Sequence, residues 1–429
     1  MKRKSIVTFL GLMSLVFMGA RAQEGRWIGE LDVQGTKLPL VFNFDASGCT
    51  VDSPLQGAIG LKAEKTYTAE GKMMVSVPTI GGIFEGFYLK NVINGTFTQG
   101  PASLPLALKK LNRPQTPVEP FPYTTEEVSF RNDDLQFNGT LTLPANYTKD
   151  TPAVVLVTGS GQQNRDEELL YHKPFAVIAD ALARQGIASL RYDDRGFGDT
   201  QVQFYNFCTY DFLDDAKVAI GMLRKRFGKV GVLGHSEGGT IALMLASEGL
   251  TDFIVSMAGM AIPAPQQMVI QNRDQLTVGG YQAEDVETYC KALEDVFALL
   301  TQGKDTDSFV APQMPDALAQ NFREALKQWK TIPYFTRFLT LDAGKNLSKI
   351  KCPVLALNGT KDLQVDCEAN LSLIDKSVTS PHQVVAFESM NHLFQHCTTG
   401  ALTEYLQIEE TIAPEVLKKI TEWVASVAL

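Results

Sequence analysis

From residue 23 to residue 112, apolar and polar positions alternate in short runs divided by Gly, Asp, Asn and Ser. Trp27–Val33, Leu38–Phe44, Met73–Val77, Gly86–Leu89 and Gly95–Thr98 are runs of this kind. A period of two sends successive side chains to opposite faces of a strand, so the segment predicts a small antiparallel β module, a sheet or a small open barrel. The texture changes over residues 113–122, where Pro114, Pro117, Pro120 and Pro122 hold the chain extended as a linker.

Beyond the linker, Glu126–Phe130 and Gly139–Leu143 predict a hairpin. The apolar runs Val154–Val157, Ile187–Tyr192, Val230–Leu233, Phe253–Ala258 and Pro353–Leu357 have the length of buried strands. Helical stretches such as Phe175–Gln185 and Phe212–Phe227 lie between them. Strand and helix in alternation predict an α/β fold with a mostly parallel sheet over residues 123–429. An insertion at about 262–344, with helical stretches near 283–301 and 315–329, interrupts the alternation and predicts a helical cap over the sheet rim. Caps exclude water and shape pockets, which makes Tyr334, Phe335 and Phe338 candidate pocket walls, with packing of the cap onto the sheet as the alternative.

The candidate chemistry sits at the ends of the predicted strands. Gly234-His235-Ser236-Glu237-Gly238-Gly239 follows one strand and opens a helix, the context of a nucleophile elbow. A serine hydroxyl is a weak nucleophile and needs a sharp turn to present it beside a base. The glycines leave room for that turn, and the helix start aims N–H groups at developing negative charge. Downstream, Asn358-Gly359-Thr360-Lys361-Asp362 ends one strand, and Val384–Phe387 is followed by Glu388-Ser389-Met390-Asn391-His392. Carboxylate and imidazole thus fall at the carboxyl ends of strands, where open α/β sheets bind ligands. Asp362 is the candidate acid, with Asp366 as its nearest substitute, and His392 the candidate base, with His396 as its competitor. An oxyanion hole needs a second donor besides the Glu237 N–H, and the loop Thr158-Gly159-Ser160-Gly161 offers Ser160, then Gly161. Arg165, Asp166 and Glu167 in that loop read as solvated, and Asp193, Asp194 and Arg195 as a loop brace. Among His392, His396 and Cys397 no third ligand has convincing spacing, so no metal is expected.

Composition narrows the partners. Lys2, Arg3 and Lys4, the apolar run Ile6–Met18 and Ala20-Arg21-Ala22 read as a secretory signal peptide over residues 1–22, which predicts export to a periplasm or beyond. Its cleavage takes the formal charge from −9 to −13, because four cations and no acid leave; a nucleic-acid partner is not expected. No other run has the length of a membrane span. Six cysteines in 429 residues are too sparse for a disulfide scaffold, although Cys352, Cys367 and Cys397 flank the acid and base loops, where one bridge is open.

Taken with Arg191–Gly198, His172-Lys173-Pro174-Phe175 and Asn391-His392-Leu393-Phe394, these motifs resemble the α/β-hydrolase superfamily. Within it, the chain is similar to secreted bacterial esterase-like proteins that place a β-rich module before the hydrolase domain. The resemblance spans most of residues 124–429 and implies Ser236 as nucleophile, Asp362 as acid and His392 as base. Thr158 departs from it, since many members carry histidine before the oxyanion glycine. The expected function is a cofactor-free serine hydrolase that cleaves a small-molecule, glycan-linked or lipid-linked carboxylic ester through an acyl-enzyme. A serine peptidase of aminopeptidase or prolyl-peptidase type and an acyl transferase use the same machinery. A non-catalytic glycan- or lipid-binding surface protein is the reading from a different class.

Overall fold

A computed structural model of the protein describes residues 24–46, 48–199, 202–307 and 309–428. The expected signal peptide lies outside the described residues. The described residues form two compact units, divided between Arg113 and Pro114.

The first unit is a barrel of eight antiparallel strands in chain order. They are β1 (Gly25–Val33), β2 (Thr36–Phe44), β3 (Cys49–Ser53), β4 (Ala58–Tyr67), β5 (Met73–Val77), β6 (Gly82–Leu89), β7 (Val92–Gln99) and β8 (Ala102–Lys110). The sheet closes instead of staying open, with Trp27 opposite Lys110 and Ile28 opposite Lys109 joining β1 to β8. Alternation along the strands fills the interior with Trp27, Phe42, Val51, Val75, Phe84 and Leu108, and each large apolar side chain buried there contributes roughly 1.5–3 kcal/mol. Two-residue turns set the register: Gln34-Gly35 and Lys90-Asn91 both have positive φ at each position, the twist that suits a right-handed hairpin.

The second unit is built on an eight-stranded sheet in the order β16-β15-β14-β13-β11-β12-β10-β9. β9 (Thr124–Asn132) and β10 (Leu135–Leu143) form the antiparallel hairpin, and β10 runs antiparallel to β12 (Ala188–Tyr192). β11 (Ala153–Val157), β12, β13 (Val230–His235), β14 (Ile254–Met257), β15 (Val354–Gly359) and β16 (His382–Phe387) are parallel to one another. Helices cover both faces, which is why β11, β13, β14 and β15 are buried at every position. α1 (Pro174–Arg184) and α10 (Pro414–Ala428) pack Phe175, Ile178, Ile420 and Trp423 on one face. α2 (Thr209–Arg224), α3 (Glu237–Ser247) and α8 (Cys367–Ser377) pack Phe212, Ile241 and Ile374 on the other.

Between β14 and β15 comes the cap: α4 (Ala264–Val278), α5 (Ala283–Thr301), α6 (Asp316–Thr331) and α7 (Pro333–Phe338). It has a core of its own around Tyr289, Leu293, Phe297 and Phe322. The short helix α9 (Leu402–Tyr405) precedes α10. All six cysteines are free thiols, so no bridge links the acid and base loops. No helix among the described residues is long and apolar enough to cross a membrane.

Candidate active site

Ser236 stands between β13 and α3 with φ 55° and ψ −119°, a conformation that costs a non-glycine residue on the order of 1–3 kcal/mol and persists where its surroundings enforce it. The surroundings here are backbone. The Ser236 N–H donates to the Met257 carbonyl at 2.8 Å, and an added Cβ on Gly234 would come within 1.9 Å of the Gly238 oxygen. A Cβ on Gly238 would meet the Val157 oxygen at 2.0 Å. Only glycine lets α3 pass this close to β11 and β13. The helix begins at Glu237, whose N–H has no partner within the helix and points from its positive end.

Asp362 follows β15 and His392 follows β16, and the structure joins them. His392 Nδ1 lies 2.6 Å from Asp362 Oδ2, and both side chains are buried. The other carboxylate oxygen, Oδ1, accepts the Gln364 and Val365 N–H groups at 2.7 and 3.0 Å, which orients the acid. With its Nδ1–H given to the carboxylate, the imidazole keeps its lone pair on Nε2. The substitutes are placed elsewhere. Asp366 caps α8 by accepting the Ala369 N–H at 2.6 Å. His396 is half exposed, held by Glu410 at 2.9 Å and Glu415 at 3.1 Å.

A cavity of about 210 Å³ opens on Ser236. Ser160 and Glu237 line it from the sheet rim, and Trp329, Tyr334, Phe335 and Phe338 line it from the cap, so the three candidate wall residues share a cavity with Ser236. Glu237 turns its carboxyl into the wall, where Oε2 accepts the Tyr334 hydroxyl. Burial raises the Glu237 pKa above the usual carboxylate value, against the lowering effect of the Thr209, Tyr334 and Ser160 hydroxyls. Burial, then the neighbouring Glu237, pushes the Tyr334 phenol well up.

The loop after β11 is not the solvated segment its acidic composition predicts. Glu167 is 3% exposed, and its Oε1 accepts the Gly159 N–H at 2.7 Å. Acids so close in sequence have different fates here, because Glu167 takes a left-handed backbone, φ 52°, that turns its side chain inward. Arg165 pairs with Asp193 at 2.7 Å and Glu127 at 2.6 Å, and Asp166 pairs with Arg191. Thr158 donates its hydroxyl to Asp194 at 2.8 Å, and Asp194 also accepts the Gln163 N–H at 2.7 Å. Arg195 is buried against Asp215 at 2.7 Å and does not line the cavity. Among the described residues, no group of three or more His, Cys, Asp or Glu is arranged to hold a metal ion.

Comparison with known proteins agrees with this architecture. A family model described as alpha/beta hydrolase fold matches residues 152–396. Esterase EstD of Thermotoga maritima is 28% identical over 273 residues, 62% of this chain and 60% of EstD, so the chain spans 60% of the length of that curated relative. Among solved structures, the esterase Pf2001 of Pyrococcus furiosus is 13% identical, covering 74% of this chain and 97% of its own, with a TM-score of 0.45. Est1E from Butyrivibrio proteoclasticus is 13% identical, covering 70% of this chain and 98% of its own, with a TM-score of 0.42.

Proposed function

The chain belongs to the alpha/beta hydrolase fold family, and from that premise we propose that it is a serine hydrolase cleaving carboxylic esters through an acyl-enzyme. The observation that carries the proposal is the buried His392–Asp362 pair, set on the same sheet rim as a strained Ser236 that faces a cavity. Similarity to EstD supports an ester as the substrate class.

In the first half-reaction, Ser236 Oγ attacks the ester carbonyl carbon while its proton passes to His392 Nε2. The oxygen gains negative charge, and two backbone donors meet it: the Glu237 N–H and the Ser160 N–H. Gly159 does not serve, because Glu167 already takes its N–H. Gly161 is the less suitable neighbour, since its N–H lies at the Tyr334 hydroxyl. The tetrahedral intermediate collapses, the C–O bond breaks, and His392 delivers the proton to the departing alkoxide. Water then repeats the sequence on the acyl-enzyme and regenerates Ser236. Asp362 stabilises the imidazolium and holds its tautomer; it does not take the proton. The apolar and aromatic cavity suits a small acyl group, including one carried by a glycan or lipid. The basic start and apolar run of residues 1–22 support work outside the cytoplasm.

Fluorophosphonate labelling, followed by a panel of aryl esters beside aminoacyl anilides, tests this function. The label is expected on Ser236, with esters turned over in preference to anilides. Ser236→Ala should fold, lose the label and lose activity by on the order of 10⁶-fold. Wild-type turnover by that variant would remove Ser236 from the mechanism, and preference for anilides would make the enzyme a peptidase.

A further inference from the structure

We propose that Glu167 and His235 form a buried ion pair that positions the oxyanion loop and the base loop against the elbow, making both of them positioning residues for the reaction. The inference rests on the serine-hydrolase reading above. It begins with hydrogen-bond direction. His235 Nε2 lies 2.8 Å from the His392 carbonyl oxygen, which only accepts, so Nε2 carries a proton. His235 Nδ1 lies 3.0 Å from Glu167 Oε1, the same oxygen that accepts the Gly159 N–H at 2.7 Å. An oxygen already accepting from the backbone is best satisfied by a second donor. Nδ1 then carries a proton as well, and the ring is an imidazolium beside a carboxylate.

The two groups are 6% and 3% exposed, so their charges have no solvent to answer them. The titratable groups facing His235 are Glu167, His392 and Asp362, and the His392 ring centre is 4.6 Å away. Burial works against a charged His235, but Glu167 and the His392 carbonyl outweigh it and hold its pKa above the ordinary histidine value. Glu167 Oε2 has no hydrogen-bond partner among the described residues, which leaves this carboxylate dependent on the His235 and Gly159 donors at Oε1.

The pair ties the loop after β11 and the loop after β16 to the end of β13. Through Gly159 it holds the loop after β11, through its own backbone it is the residue before Ser236, and through the His392 carbonyl it holds the loop after β16. The fit around Gly159 is tight: an added Cβ would stand 3.2 Å from both Glu167 Oε1 and Ser236 Cβ. Pinning the Gly159 N–H, with Thr158 anchored to Asp194, leaves the adjacent Ser160 N–H little freedom beside the nucleophile. The loop is bent to achieve this, since Glu167, Leu170 and Tyr171 all take positive φ, a conformation kept where the surrounding contacts enforce it.

Three measurements on the full chain decide the matter: kcat and KM for an aryl ester, the rate of fluorophosphonate labelling, and the protonation of the His235 ring by ¹⁵N NMR. Glu167→Ala should lower kcat and the labelling rate about 10²-fold, the effect of a misplaced oxyanion donor. KM should stay within about threefold, because ground-state binding is not what the pair controls. Glu167→Gln, which still accepts the Gly159 N–H, should recover about tenfold of that loss. In the wild type both His235 ring nitrogens should stay protonated above the pH at which an ordinary histidine, of pKa about 6.5, loses its proton, and Glu167→Gln should release one proton. A neutral His235 ring in the wild type overturns the proposal, as does a folded Glu167→Ala with wild-type kcat. Should Glu167→Ala not fold, Glu167→Gln and the ring signals still decide. A wild-type protein that never labels at Ser236 defeats the serine-hydrolase reading instead, a result separable from the state of the ring.

Discussion

Asp362 and Asp366 lie four positions apart in one loop, and the difference between them is what each carboxylate can reach. Asp362 is buried, fixed by two backbone N–H groups and joined to His392, whereas Asp366 spends its oxygen on the first turn of α8. Asp362→Asn should therefore fold and lower kcat by roughly 10⁴-fold or less, because an amide holds the wrong imidazole tautomer. His392→Ala should cost far more activity than His396→Ala, since His396 is half exposed and held by Glu410 and Glu415. Steady-state kinetics of the three variants check both statements, and equal losses for the two histidines would move the base. The positions of Asp362 and His392 were legible in sequence because each follows a strand-length apolar run, which the structure forms as β15 and β16. Glu167 was not legible. It sits in the acidic run Asp166-Glu167-Glu168, and nothing in that composition announces which of three acids a left-handed backbone turns inward.

At the scale of elements, the elbow depends on a strand and a helix approaching more closely than side chains allow. Gly238→Ala should force α3 off the Val157 carbonyl, destabilise the protein by about 1–3 kcal/mol and shift the Glu237 N–H. The resulting loss in kcat should reach about 10²-fold. Gly221→Ala on α2 is the contrast: an added Cβ there meets nothing within 4 Å, so it should leave activity unchanged and stabilise by about 0.5–1 kcal/mol. Thermal melts and kinetics of the pair check this, and a harmless Gly238→Ala would mean that the helix tolerates displacement. The buried strands of the parallel sheet were legible because both faces are covered and the sequence runs apolar throughout. β3, β4 and β8 were missed for other reasons: β3 is short and buries the polar Asp52 and Ser53, β4 has no fully buried position, and β8 carries Pro105, a residue that argues against a strand. Closure of the barrel is a property of non-local pairing, to which local periodicity is blind.

For the molecule as a whole, buried acids set the pH dependence of stability. Burial pushes Asp194 well above its ordinary value of 3.8, outweighing the Gln163 N–H and Thr158 hydroxyl that favour its charged form. The folded state thus binds this proton more tightly than the unfolded chain does. That contribution is complete below the unfolded value and is lost as pH rises through the folded one, the same sign as for Glu237 and His235. Asp194→Asn should remove it, so the melting temperature of the variant should gain on that of the wild type as pH is raised from about 4 to 8. Parallel profiles in thermal unfolding would show that Asp194 stays charged throughout. The barrel carries a different kind of consequence. Trp27 and Ile28 pair with Lys110 and Lys109, so the polypeptide enters and leaves that unit at one seam. Gln115, just beyond it, belongs to the second unit, where its side-chain oxygen accepts the Thr411 N–H at 2.6 Å. Residues 24–113 therefore read as a cassette in the chain: among the described residues, the barrel's ladders pair only its own strands, so excising the segment severs no ladder of the second sheet.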